Sequence, residues 1–433
     1  MKYFNITNDK LSDELRQFLS DEDKDNLAAE KTVLDIKKDF LERRFTALAD
    51  YSKRFDKFDL TADNYKVTQA EIDALAAKCD PKLAASLEIA INRVRAFHEN
   101  QKDSGFTYTD PDGNKMGQKV TPLEAIAVYV PGGRALYPST VYMTVIPAIV
   151  AGVKRIVLIS PPRTFVESPE VAKVIQLLGI NEIYRIGGAQ GVFAMAYGVA
   201  GMIEPVNKIV GPGNIYVAKA KQSVYGKIDI DMIAGPSEIG IIVDTDKDED
   251  IPLIAMDMLS QAEHDPMARP ILFGTNEAYL KKVVAQAESF LDSREIPLAQ
   301  NAKESLANRG VAVCVSSINN AIAVSNAIAP EHLELFSDRA SELLEQVTNA
   351  GSIFLGKYTP EAVGDYLGGP NHVLPTSGTA KFSSALGVYD YIKHSGWIAF
   401  SKESLQKYYG HIATIARSED LYCHAMSAEI RFE

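Results

Sequence analysis

Gln261 and His264 stand three residues apart in the stretch LSQAEHDP at 259–266. They follow IPLIAMDML, where Ile254, Met258 and Leu259 recur at helical spacing. Residues three apart share one helix face, so an amide oxygen and an imidazole nitrogen could hold one metal ion between them. Two solvated side chains would look the same. A second pair, Glu331 and His332 in APEHLEL, sets a carboxylate beside an imidazole and could supply two general bases near neutral pH. An EH pair on a helix surface is the plainer reading of that dipeptide.

Of the seven histidines, His98, His394 and His411 have ordinary settings and read as surface or satisfied core residues. His264, His332, His372 in GGPNHVLP and His424 in EDLYCHA keep more distinctive company, and Asp365 in AVGDYLGGP adds a carboxylate inside a glycine-rich loop. Nitrogen and oxygen donors without thiolates suit zinc or another borderline divalent ion. Their wide separation in sequence leaves their convergence open. Three glycine loops add a different chemistry: PGG at 131–133, GGAQ at 187–190 and GPGN at 211–214. Amides at a helix N-terminus can face a phosphate, although Tyr216 stands where the dinucleotide fingerprint has its third glycine. Each loop alone could be a tight turn.

Four β-rich runs, AIAVYVPGG, RIVLISPP, EIYRIGGAQ and KIVGPGN, each end in a glycine- or proline-rich loop and lead into a helical pattern. That alternation implies a parallel sheet with right-handed crossovers, whose ligands sit beyond the carboxyl ends of the strands. A second alternating series runs from IGIIVD near Ile239 through PILFGT and VAVCVS to SIFLG. Residues from about 25 to 100 read as helical, and the polar tail after Pro375 looks short of a core of its own. A chain of 433 residues accommodates at least two domains.

The formal charge of -12 argues against nucleic acid and anionic membrane as partners. Mean hydropathy of -0.08 describes a soluble protein. MKYFNITNDKLSDEL has acids where a signal peptide has a basic region, and no apolar run is long enough for a bilayer. Cys79, Cys314 and Cys423 form no disulfide or thiolate-ligand pattern, which suits a cytoplasmic location.

Several long strings resemble the histidinol dehydrogenase family. They are AVYVPGGRALYPSTVYM, YRIGGAQGVFAMAYG, KIVGPGNIYVAKAK, DMIAGPSEI, LSQAEHD, APEHLEL, GDYLGGPNHVLPTSGTAKFSS and SEDLYCHA, in order from about Thr121 to the C-terminus. The resemblance implies NAD-dependent oxidation of L-histidinol to L-histidine, the last step of histidine biosynthesis, through an enzyme-held histidinaldehyde. It assigns one zinc ion per subunit to Gln261, His264, Asp365 and His424, and the bases to Glu331 and His332. Substrate contacts fall to Ser237, Gln261, His264, His332, Asp365, His372, Glu419 and His424, and NAD contacts to Tyr129, Gln190 and Asn214.

The implied fold is α/β, with two incomplete dinucleotide-fold-like parallel-sheet domains, an N-terminal helical region and a C-terminal tail exchanged within a homodimer. Residues 1–26 are expected as a dimer-contact segment and 27–128 with 238–380 as the domain carrying metal and catalytic residues. Residues 129–237 are expected as the NAD domain, and 381–433 as a tail carrying Glu419 and His424 to the partner's site. The rivals are an aldehyde dehydrogenase with a cysteine nucleophile, a zinc hydrolase and a non-catalytic dimeric scaffold.

Overall fold

The computed structural model describes residues 1–20, 24–132, 137–233 and 235–433. Gly133 of the PGG loop, with 134–136, lies outside the described residues, as do 21–23 and Ala234.

Two parallel sheets organise the chain. The first runs in the order Lys2–Ile6, Val311–Val315, Arg269–Gly274, Glu238–Val243, His332–Phe336, Ser352–Leu355, with every neighbour parallel. The second runs Glu182–Tyr184, Arg155–Ile159, Ala125–Tyr129, Lys208–Val210, Asp229–Ile230, again all parallel. Apart from the edge strand Lys2–Ile6, in each the chain starts at a central strand, winds outward through two strands, then crosses back and winds the other way. That is the doubly wound order of dinucleotide folds, as expected from the two alternating series. Helices cover both faces, so strands such as Glu238–Val243 and Arg269–Gly274 are buried along their whole length.

Helices Ile251–Ala262 and Glu277–Ser293 place Ile254, Met258, Leu280 and Val283 against Ile239, Ile241 and Leu272 on one face of the six-stranded sheet. Leu15, Ile322 and Val324 meet Ile242, Phe273 and Leu335 on the other.

The N-terminal helices pack on the five-stranded sheet. Val33, Ile36, Phe40 and Leu48 share a core with Ala127, Tyr129 and Phe193, while Ile72, Leu75 and Val94 share one with Ile126, Val128 and Ile183. Lys2–Ile6, inside the segment expected only as a dimer contact, is an edge strand of the six-stranded sheet.

A third sheet is antiparallel. Phe106–Thr109 and Lys115–Pro122 form a hairpin, turning through Asp112 and a left-handed Gly113 (φ 83°), and Ile392–Ala399 pairs along the full length of Lys115–Pro122. Helices Lys402–Ser418 and Tyr422–Glu429 follow and enclose only a small cluster, Ala413, Ala416 and Ala425. Ile398, Ile415, Tyr422 and Ile430 remain exposed. The tail indeed lacks a large core of its own. No helix among the described residues is long and apolar enough to cross a membrane.

Candidate active site

The chemistry gathers at the amino-terminal edge of the six-stranded sheet. His332 is the first residue of its strand and pairs in register with Ile239 of the central strand Glu238–Val243, so Glu331, Ser237 and Glu238 share that edge. Arg269, also first in its strand, bonds Ser237 O through its backbone N–H (2.9 Å) and pairs with the Glu238 carboxylate (3.1 Å). Helix Ile251–Ala262 packs its apolar stripe on the sheet and carries Gln261 to the same place in its last turn. The helix stops at Ala262, so His264 follows in a turn closed by its N–H onto Gln261 O (3.2 Å). Gln261 is fully buried and His264 exposed.

His332 is the hub. Its Nδ1 lies 3.1 Å from the Glu238 carbonyl and 3.1 Å from Gln261 Nε2. The carbonyl only accepts and the Gln261 amide nitrogen only donates, so the two contacts ask opposite things of Nδ1; with the proton on Nδ1 toward the carbonyl, the neutral ring keeps a lone pair on Nε2. That Nε2 is buried without a hydrogen-bond partner, 3.7 Å from Asp365 Oδ1. Glu331 Oε2 accepts the Glu238 N–H (3.0 Å) and stands 3.8 Å from His332 Nδ1, and Glu361 Oε1 stands 3.7 Å from it. The expected surface EH pair is thus a buried strand-edge pair.

Burial works against an imidazolium here, but the carboxylates of Glu361, Glu331 and Asp365 outweigh it and push His332 up to about 10. Burial likewise raises Glu331 to about 7 and Glu361 to about 8, with His332 pulling both down. Burial opposes ionisation of Asp365 too, yet the His332 ring, with His372 and His264 behind it, holds its pKa below the ordinary value. The cluster therefore keeps protons to higher pH than scattered carboxylates would.

Asp365 lies in a π turn, Val363–Leu367, closed by Gly368 N onto Val363 O (2.5 Å). The turn also gives His372 Nδ1 a partner, the Asp365 carbonyl at 3.1 Å. Ligand atoms of His264, Glu361 and Asp365 lie within 4.8 Å of one another. Together with the unpartnered buried Gln261 Oε1, these nitrogen and oxygen donors fit a borderline divalent ion. Glu361 did not emerge from the sequence; its only signal is the spacing of one helical turn before Asp365.

The glycine loops occupy the carboxyl edge of the five-stranded sheet. Tyr129 ends its strand, buried, and its hydroxyl accepts the Gly188 N–H (3.1 Å); burial raises its pKa to about 12. Gln190 lies in the first turn of helix Gly188–Tyr197 with its buried Oε1 unpartnered. Asn214 caps helix Ile215–Val224, accepting the N–H groups of Tyr216 (3.1 Å) and Val217 (3.2 Å). Strands Ala125–Tyr129 and Lys208–Val210 flank the point where the winding reverses, so Tyr129 and the Gly211–Asn214 turn border the crevice where this fold receives ligands. At Gly187 a Cβ would lie 2.5 Å from Pro161, and at Gly211 (φ 109°) 2.3 Å from the Tyr129 carbonyl. The backbones approach closely, which glycine alone permits.

A buried ion pair fixes that turn. Lys221 pairs with Asp231; Lys221 Nζ donates to Gly211 O (2.9 Å), and Gly211 N donates to Asp231 Oδ2 (2.7 Å).

Two expected site residues stand elsewhere within the single chain. Glu419 caps the C-terminus of helix Lys402–Ser418 and is exposed, and His424 lines a hollow of the tail with Leu405, Ile412 and Arg431. The remaining histidines are as expected: His98 is a buried core residue bonded to Val94 O (2.8 Å), His394 pairs with Asp103 (2.8 Å), and His411 is exposed.

Comparison with known proteins follows the same lines. The family model described as histidinol dehydrogenase matches residues 19–432. A histidinol dehydrogenase of Cupriavidus pinatubonensis is 44% identical over 424 residues, 97% of this chain and 94% of its own. One of Listeria innocua is 44% identical over 434 residues, 100% of this chain and 99% of its own. The crystal structure of histidinol dehydrogenase from Elizabethkingia anophelis superposes with a TM-score of 0.89 at 34% identity, covering 99% of this chain and 97% of that one.

Proposed function

The chain belongs to the histidinol dehydrogenase family, and from that premise we propose how its own residues divide the work of oxidising L-histidinol to L-histidine in histidine biosynthesis. The observation that carries the reading is the unpartnered His332 Nε2, buried beside Glu331, Asp365 and Gln261. With its proton on Nδ1 toward the Glu238 carbonyl, such an imidazole accepts a proton at Nε2.

Gln261, His264 and Asp365 are the metal ligands of this chain, with His424 supplied by the tail of a second copy in a homodimer. Glu419 arrives on the same tail, and the exposed apolar residues there support such an exchange. When bound, zinc supplies a fixed grip on the substrate's imidazole and amine, and NAD+ the hydride acceptor. Tyr129, Gln190 and Asn214 hold the dinucleotide at the five-stranded sheet's reversal point. Ser237 and His372 line the substrate pocket.

In the first oxidation His332 removes the alcohol proton as hydride leaves the carbon, giving an enzyme-held aldehyde. In the second, Glu331 takes a proton from water as it adds to the aldehyde, and His332, its first proton released to solvent, removes the hydroxyl proton of the hydrate as a second hydride leaves the carbon for a second NAD+. A neutral His332 requires that the carboxylate charge around it be balanced, which a divalent cation does. The cytoplasm is the setting we infer.

Neither enzymatic rival finds support. Burial raises the Cys314 thiol, the opposite of an activated nucleophile. A hydrolase would leave the glycine crevice without a role. The test is metal depletion followed by zinc readdition, with NADH absorbance read from histidinol. Loss and recovery of NADH formation are expected; undiminished activity in metal-free enzyme would sink the metal assignment.

A further inference from the structure

Glu361 is 1% exposed, and neither carboxylate oxygen has a hydrogen-bond partner. The nearest cationic group is the His332 ring, whose Nδ1, 3.7 Å away, already faces the Glu238 carbonyl. An isolated carboxylate in such a place is costly unless it is protonated or compensated by a cation. Glu238, on the same sheet edge, has Arg269 for that purpose. Glu361 instead points a ligand atom at those of His264 and Asp365, all within 4.8 Å of one another.

We propose that Glu361 is itself a ligand of the metal ion, so that a single subunit offers His264, Glu361 and Asp365 as a preformed nitrogen–oxygen site. The inference rests on the reading of this edge as a metal centre. It goes beyond that reading in adding a ligand from the same chain as His264 and Asp365, available before any tail arrives from a second copy. The competing role is that of a protonated, space-filling acid, which would owe nothing to metal.

The experiment measures zinc affinity by equilibrium dialysis against a zinc-buffering chelator, and the visible absorption of the Co2+-loaded protein. Both are read on the full chain without substrate. Glu361→Gln should weaken zinc binding by at least about 10–100-fold, the range seen when even outer-shell partners are removed. It should also shift the Co2+ bands, while Asp365→Asn serves as the reference for a lost ligand. The metal-free Glu361→Gln protein should melt no lower than metal-free wild type, because a buried unpartnered carboxyl has been removed. Wild-type zinc affinity with an unchanged Co2+ spectrum would overturn the proposal and leave the metal centre standing. If wild type itself took up no zinc, the metal reading would fall, and this proposal with it. Should Glu361→Gln fail to fold, Glu361→Asp keeps the charge but withdraws the donor by one methylene. An altered Co2+ spectrum would then support ligation, and an unaltered one would overturn it.

Discussion

The two parallel sheets share a winding order and use opposite edges. In the five-stranded sheet the reversal point lies open: Gly211 comes against the Tyr129 backbone, Gly187 against Pro161 and Gly213 against the Val217 side chain, and a helix begins at Asn214 beside it. In the six-stranded sheet the equivalent point, after Val243 and Phe336, is a hollow that the chain lines with its own polar groups. Ser337 Oγ donates to Asp244 (2.8 Å), Arg339 to the same carboxylate (2.9 Å), and Thr245 to Asp250 (2.9 Å). Acids already satisfied there would repel a phosphate. The unsatisfied polar atoms of this sheet lie at its other end, around His332. A fold's customary ligand edge is thus a property of backbone geometry, whereas the site of reaction follows the buried groups that lack partners.

Changes at the two edges should separate sharply. The largest effect is expected at the amino edge, where His332→Ala should slow NADH formation from histidinol by about 10²–10⁴-fold. Glu331→Gln should depress oxidation of histidinaldehyde by a similar factor and spare the alcohol step. A variant that slowed only the alcohol step would break the division of labour. Because burial raises Glu331 to about 7 and only its carboxylate can act as a base, aldehyde oxidation should fall as pH drops through about 7. Glu331→Gln should lack that limb of the pH profile.

At the open reversal point, Lys221→Met strands the buried Asp231 carboxylate. Removing one partner of such a pair costs about 3–5 kcal/mol, readable by urea denaturation. Gly187→Ala drives a Cβ into Pro161. Overpacking of that kind costs about 1–3 kcal/mol, and KM for NAD+ should rise more than kcat falls. At the polar-lined reversal point, Ser337→Ala should cost only about 0.5–1.5 kcal/mol, the net worth of one hydrogen bond. It should leave KM for NAD+ unchanged; a change there would break the comparison.

How much of this the sequence discloses depends on how local the signal is. The four glycine- or proline-terminated strands of the five-stranded sheet and the parallel α/β character of both sheets are legible, because strand alternation and turn chemistry are encoded within a few residues. The strand His332–Phe336 is not, since His332 and Glu334 break its apolar run, and it reads as a helical dipeptide. Amphipathic helices between 24 and 99 announce an apolar face without saying which sheet receives it. The sequence singles out His264, His332, His372 and Asp365 by their settings. Gln261 gains force from the resemblance, and Glu361 has no local mark because its importance lies in having no partner, a three-dimensional fact.

One further consequence concerns how the chain folds. The ladder between Lys115–Pro122 and Ile392–Ala399 closes a loop of roughly 270 residues that contains every strand of both parallel sheets except Lys2–Ile6, and such distant contacts form slowly. The antiparallel arm should therefore assemble last and open first, its amides exchanging with solvent deuterium well before those of Glu238–Val243. A newly made chain would complete both sheets before it could present Glu419 and His424 on an ordered arm, so maturation of the enzyme would be timed by its slowest ladder.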